Sequence, residues 1–379
     1  MTSTDPYLHE YFRRFGRPVD GEETHSVLFL IGSPGVSGGT YVILQHAMWL
    51  HEHGWDVEIA TMLSDQGGAW HPALELLKVS SVEELDEREF DLAIATWWPT
   101  VYELPRVRAR HYAYLVQSVE ARFYGDELSA VHAQHLAELT YTFGLPIITI
   151  AQWMQVYLAL RHRAPSFLVR NGIRKDIYTP LGPAVAPREP GKLRALVEGP
   201  LGVEMKNVDR AIQLAREGGA DEVWLMSGSL GGRGCAADRV FERVPVEATP
   251  AIYRSCDVLV KLSRVEGMFG PPLEMFHCGG TAITYDVTGY DEYMVSGENS
   301  LVVPMDDEDA VVAAVRSLRT DLEFLQRLKT GAIATAARWP SWEASSEEFG
   351  RFVSALHRQA PRDYASTLLM IRGAQQEFA

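Results

Sequence analysis

The chain has 379 residues, 46% hydrophobic and 22% charged, with a formal net charge of -15. This make-up fits a soluble globular protein of two domains and excludes wrapping nucleic acid or broad docking on anionic lipid, although local basic patches remain at Arg106, Arg108 and Arg110 and from Arg161 to Lys175. No apolar stretch is long enough to span a bilayer, Met1 to Asp20 does not read as a signal peptide, and Cys235, Cys256 and Cys278 suit neither a metal site nor a disulfide scaffold, so a cytoplasmic protein with reduced thiols is expected.

Val27 to Ile31 is a short apolar strand, followed by the glycine-rich turn Gly32-Ser-Pro-Gly-Val-Ser-Gly-Gly39. Val42, Leu44, Ala47, Met48 and Leu50 give Tyr41 to His53 a helical period; Gly54 ends it, and Trp55 to Ala60 is the next strand. A right-handed crossover is expected for this order. The loop is neither G-x-G-x-x-G nor a Walker A loop, because no Lys-Ser/Thr follows its glycines. Gly38 and Gly39 either pack the helix tightly on the strand or let the backbone approach a ligand.

Further strands are expected at Asp91 to Ala95, Tyr112 to Val116 and Pro146 to Ile150, and their alternation with helices implies an α/β, doubly wound parallel sheet. Gln117-Ser-Val-Glu-Ala-Arg-Phe-Tyr124 begins where a strand stops, the end at which such sheets bind ligands. Gln117 and Glu120 are therefore cleft candidates, with ordinary loop and cap bonding as the alternative. His132 and His135 lie three apart beside Glu138 on a helical segment. That spacing is more common on an ordinary amphipathic face than at a metal, and no metal is assigned. Trp97, Trp98, Tyr102, Tyr112 and Tyr114 suit either stacking on sugars or packing in a core.

The second half repeats the plan. Pro183, Pro187 and Pro190 mark an interdomain linker over 171–190, between domains at 1–170 and 191–342. Leu193 to Val197 is a strand, Glu198-Gly-Pro200 turns, and Lys206-Asn207 open a helix reaching Arg216. Strands follow at Glu222 to Met226 and Val240 to Val244, then a short helix from Thr249 to Cys256. Thr281 to Tyr285 and Ser300 to Val303 are later strands. Asp306-Asp-Glu-Asp309 caps a solvated helix, and a last amphipathic helix follows Trp339-Pro-Ser-Trp342.

Chemistry concentrates between Glu266 and Glu274. The apolar run Asp257 to Ser263 is a buried strand; Glu266-Gly-Met-Phe-Gly-Pro-Pro-Leu-Glu274 is a tight loop entering a helix, with its prolines in the first turn. Helix-start amides, with Gly267 and Gly270 admitting close approach, are expected to hold an anion. The two carboxylates are placed to accept from hydroxyls on either side of it. An anion flanked by two polyols describes a nucleotide-diphosphate sugar. The alternative is a helix capped by Glu274 beside a solvated Glu266.

This glutamate pair and its Gly/Pro loop resemble the retaining glycosyltransferases of family 4, closely over residues 196 to 304 and loosely elsewhere. Asn171 to Pro180, Gly289-x-x-Glu292 and Gly297-Glu-Asn299 are similar to further family landmarks. The resemblance implies the GT-B fold, two Rossmann-like domains facing across a cleft, with the segment from about 343 to 379 packing back on the first. It places nucleotide-sugar contacts at Glu266, Gly267, Met268, Phe269, Gly270, Leu273 and Glu274, with Glu274 on ribose and Glu266 on the transferred sugar. Lys206 and Glu266 carry catalysis, and Gly38, Gly39, Gln117 and Glu120 form the acceptor side. The leaving phosphate takes the acceptor proton, so no general base, metal or other cofactor is implied. Many members carry arginine where Pro200 stands, which leaves Lys206 most of the charge on the diphosphate.

Gln117 to Tyr124 is similar to a Val-Gln-Asp-x-Glu-x-x-Phe-Tyr pattern of rhamnan and S-layer rhamnosyltransferases, with Ser118 replacing the aspartate. The expectation is transfer of a hexose or 6-deoxyhexose such as rhamnose to a glycan or small-molecule acceptor. Competing readings are a nucleotide-sugar epimerase of the same fold and a non-catalytic sugar-nucleotide binding protein.

Overall fold

The computed structural model describes residues 25–64, 70–85, 88–125 and 127–377; the stretch from Met1 to Asp20 lies outside them. The chain forms two compact units. The described residues up to Gly172 join those from Trp342 onward in one, and Ile173–Ser341 form the other. No helix among the described residues is long and apolar enough to cross a membrane.

The first unit holds a seven-stranded sheet, β3-β2-β1-β4-β5-β6-β7. Its strands are β1 (Ser26–Ile31), β2 (Asp56–Thr61), β3 (Lys78–Ser81), β4 (Glu89–Ala95), β5 (Arg108–Val116), β6 (Ile147–Thr149) and β7 (Ser166–Leu168). Every pairing is parallel, with Val27 opposite both Val57 and Leu92. A parallel sheet buried on both faces wants continuous apolar runs, which is why β1 reads Ser-Val-Leu-Phe-Leu-Ile with every residue buried. The helices α1 (Gly38–Glu52), α2 (Ala73–Leu76), α3 (Trp98–Glu103), α4 (Leu128–Leu139) and α5 (Gln152–His162) connect these strands. The strands β3 and β7, four and three residues long, are too short to show a period and have no counterpart in the sequence reading.

The second unit holds a six-stranded parallel sheet, β10-β9-β8-β11-β12-β13. It comprises β8 (Arg194–Glu198), β9 (Glu222–Ser227), β10 (Arg239–Glu242), β11 (Val258–Lys261), β12 (Thr281–Tyr285) and β13 (Leu301–Val303). Its helices are α6 (Val208–Glu217), α7 (Thr249–Ser255), α8 (Gly270–His277), α9 (Glu308–Thr320) and α10 (Leu322–Arg338). The proline-rich stretch expected as a linker is tied into this unit: Arg188 donates to the Gly279 carbonyl at 2.7 Å and Arg254 to that of Pro183 at 2.8 Å.

Two helices, α11 (Trp342–His357) and α12 (Ala365–Glu377), return the chain to the first unit. There α11 lies against α1. His46 stacks on Phe349 with ring centroids 4.3 Å apart and bonds Ser346 at 3.0 Å. A β-carbon at Gly350 would stand 2.3 Å from the Trp49 ring, so only glycine permits this approach.

In each sheet the strand order reverses once, between β1 and β4 and between β8 and β11. At such a switch point the two connections leave to opposite faces, opening a crevice at the carboxyl ends of the strands.

Candidate functional site

The switch point of the second sheet gathers the charged side chains. Glu198 is the last residue of β8 and Lys261 the last of its neighbour β11. Lys261, 3% exposed, donates to Glu198 Oε2 at 2.6 Å and to its carbonyl at 3.3 Å. Its Nζ also stands 3.8 Å from Glu266 Oε1. Lys206 donates to that same oxygen at 2.8 Å. It ends a 3-10 turn, Glu204–Lys206, rather than opening the helix as expected; Asn207, in the left-handed region at φ 51°, separates it from α6.

Gly199 explains how these elements approach. Its φ of +139° is unfavourable for a side chain, and a β-carbon there would lie 3.0 Å from Val208 and 3.9 Å from Lys261 Nζ. Pro200 follows and contributes no charge.

The alternative of a solvated loop acid beside a helix cap fails on geometry. Glu266 is buried at the mouth of β11, and α8 has no side-chain cap at Phe269. Glu274 Oε2 instead accepts from the Tyr253 hydroxyl of α7 at 2.7 Å, while Tyr178 and Thr249 share a hydrogen bond of 2.7 Å close by. Burial would raise the Glu266 carboxyl, but Lys261 and Lys206 outweigh it and hold it below the usual carboxylate range. For Glu274 burial prevails: with Glu198 adding repulsion against the pull of Tyr253 and Tyr178, it is pushed up to about 7. Burial opposes the charge on Lys261, yet Glu198 and Glu266 raise its affinity for the proton.

Phe269 and Leu273 are fully buried in the core cluster with Tyr253 and Phe276. The Phe269 carbonyl is taken by the Tyr293 hydroxyl. The helix start is poorer in donors than anticipated: Gly270 N–H bonds the Met268 carbonyl at 3.0 Å, and Pro271 and Pro272 have no N–H. Positive charge here comes from the lysines. Gly267 and Met268 stay in the loop between β11 and α8 beside Glu266.

The first unit brings Gly38, Gly39, Gln117 and Glu120 to the carboxyl edge of its sheet. Ser37 caps α1 by accepting from Thr40 N–H at 3.0 Å, and Gly38 and Gly39 are its first residues. A β-carbon on Gly39 would sit 3.5 Å from the Gln117 amide. Among the described residues, Gln117 Oε1 and Ser118 Oγ are buried without a partner. Glu120 Oε2 accepts from Trp98 N–H at 2.8 Å and from the Tyr114 hydroxyl at 3.0 Å. Burial pushes this carboxyl up to about 8. Tyr102, Tyr112 and Tyr114 are core residues, whereas Trp97 and Trp98 are half-buried.

His132 and His135 are exposed on α4. Among the described residues, the three metal-capable side chains that converge are His25, Asp91 and His357, within 4.8 Å of one another, and Arg110 already bonds Asp91 Oδ1 at 3.1 Å.

Residues 238–335 match the family described as Glycosyl transferases group 1. The chain is 29% identical over 265 residues to the O-antigen biosynthesis protein RfbC of Myxococcus xanthus, a match covering 67% of this chain and 20% of that protein. The chain thus spans about a fifth of the length of this relative. Sucrose-phosphate synthase from Thermosynechococcus elongatus superposes with a TM-score of 0.70 at 15% identity, covering 88% of this chain and 99% of the other. Anabaena HepE in complex with UDP-glucose gives 0.67 at 13% identity, covering 87% and 100%. The fold is that of the GT-B glycosyltransferases, and residues 238–335 are similar to the group 1 glycosyl transferases.

Proposed function

We propose that this protein is a retaining glycosyltransferase, which moves a hexose or 6-deoxyhexose from a nucleoside-diphosphate donor to a glycan or small-molecule acceptor. The observation that carries this reading is the polar bracket at the β8–β11 switch point. A paired, ionised Glu266 and a Tyr253-held Glu274 stand on either side of the α8 entrance, with Lys206 half-exposed between solvent and Glu266.

In this reading Lys206 turns to the donor diphosphate, where a preorganised cation stabilises charge developing on the leaving oxygen. Glu266 accepts from hydroxyls of the transferred sugar and Glu274 from those of the ribose. The diphosphate oxygen released by the sugar takes the acceptor proton, so no separate base is required. Gly38, Gly39, Gln117 and Glu120 serve the acceptor. The likeness of Gln117 to Tyr124 to rhamnosyltransferases favours rhamnose as the sugar. No metal or other cofactor takes part.

Calorimetry with UDP, TDP and GDP tests the site, and an acceptor-free turnover assay with the matching donors tests the class. Binding of one diphosphate, with donor consumed only when acceptor is added, supports transfer. Donor turnover without acceptor would instead favour an epimerase of the same fold, and binding without turnover a sugar-nucleotide sensor.

A further inference from the structure

Lys261 is the one charged residue in the apolar run Val258-Leu-Val-Lys-Leu262, at the end of a central strand. A lysine is almost never buried this fully unless paired. Its geometry differs from that of Lys206 in a way that assigns them different tasks. The Lys206 side chain is 24% exposed and hangs from a short turn; that of Lys261 is 3% exposed and fixed to a strand by two bonds to Glu198. Both face the same oxygen of Glu266, at 2.8 and 3.8 Å.

We propose that Lys261 is a positioning residue: it remains behind Glu266 as a permanent counter-ion, so that Lys206 can leave Glu266 for the donor diphosphate without stranding a buried carboxylate. This rests on the nucleotide-sugar reading above and adds to it a division of labour between two lysines. Without Lys261, movement of Lys206 onto an anion would leave Glu266 buried and facing negative charge. Both effects favour its protonated form, which accepts hydrogen bonds from sugar hydroxyls less strongly. The groups around Glu266 fit this account. Lys206 comes from the turn before α6, Lys261 and Ser263 from β11 and its exit, and Tyr293 from the segment after β12; Glu198 and Glu274 lie beyond Lys261. Lys261 is the cation that the fold anchors to a strand.

The test follows Glu266 directly. Its carboxyl carbon, assigned as the signal that Glu266→Gln removes, is titrated by NMR with and without saturating UDP. In the wild type it should stay ionised down to the acid side of the ordinary carboxylate range in both states. In Lys261→Met its midpoint should rise by at least about one pH unit without nucleotide and further with UDP bound. UDP affinity in this variant should stay within about threefold of wild type below the raised midpoint and fall above it by the factor that the UDP-dependent shift implies, whereas Lys206→Met should lose tenfold or more at either pH. Lys329→Met removes an equally structural lysine, paired with Asp257 at 2.6 Å in the same unit, and should leave the Glu266 titration unmoved. If Lys261→Met does not fold, Glu198→Gln replaces it: freed from its stronger partner, Lys261 should lower the Glu266 midpoint. An unmoved titration in a folded variant overturns the proposal, as does a loss of UDP affinity matching that of Lys206→Met, which would make Lys261 a direct anion ligand. Failure of the wild type to bind UDP, TDP or GDP would overturn the donor reading instead, while the nucleotide-free titration still decides the Lys261–Glu266 coupling.

Discussion

Glu120 in the first unit and Glu266 in the second are buried to nearly the same degree, 6% and 9% exposed, and each lies near the carboxyl edge of its parallel sheet. Their protonation is opposite. Glu120 is held by neutral donors, Trp98 N–H and the Tyr114 hydroxyl, and burial drives it up to about 8. Glu266 faces two ammonium groups and is held below its ordinary value. Burial sets how strongly a carboxyl responds to its surroundings; the charge of its neighbours sets the direction. At neutral pH one site therefore holds a carboxylic acid and the other a carboxylate, from the same side chain.

The sharpest way to break this comparison is Glu266→Gln. If the carboxylate orients the transferred sugar, transfer should fall by about 10²–10³-fold while affinity for the bare nucleoside diphosphate is spared. Equal losses of both, in a variant melting like wild type, would move Glu266 onto the nucleotide. Glu274→Ala should weaken nucleoside diphosphate and intact donor alike, by roughly 1.5–3 kcal/mol for a lost charged acceptor. Because Glu274 lies at about 7, donor affinity measured with UDP-glucose should rise as pH passes through neutrality in wild type and lose that rise in Glu274→Gln.

Glu120→Gln probes the other side. A carboxyl whose folded pKa is raised to about 8 keeps its proton when the unfolded chain has lost it, so stability falls as pH climbs from the ordinary carboxylate range towards 8. Glutamine mimics the protonated form. The variant should match wild type near pH 5 and exceed it at pH 9 by on the order of 1–2 kcal/mol, less than the shift implies because the site relaxes as it ionises. Parallel melting curves at both pH values would show that Glu120 is ionised after all. The smallest expected effect is that of EDTA, which should leave transfer unchanged since lysines carry the charge; loss restored by magnesium or manganese would contradict that assignment.

The legible parts of this site were those with punctuation. Two prolines and two glycines between glutamates announced the β11–α8 junction, and continuous apolar runs announced the central strands. Lys261 stands in the sequence as a single charge inside a run that a doubly covered strand should keep apolar. That mismatch is itself the signal for a buried pair. Tyr253 and Tyr178, the partners around Glu274, are separated from it by 21 and 96 positions and carry no local mark. The helix start offers fewer free amides than its sequence suggests, because prolines that favour a first turn also remove its donors.

The attachment of Glu198 and Lys261 to the last positions of adjacent strands has a further consequence. Charges fixed to a sheet keep their spacing whatever happens to the connections around them. The segment after β9 is tied to the turn that follows Glu198, where the Ser229 carbonyl accepts from Leu201 N–H at 3.0 Å, whereas the ion pairs run from one strand end to the next. Replacing Arg243 to Ala248, in the segment after β10, should therefore leave the Glu266 titration as it was, with the strand ends as the constant part of this site.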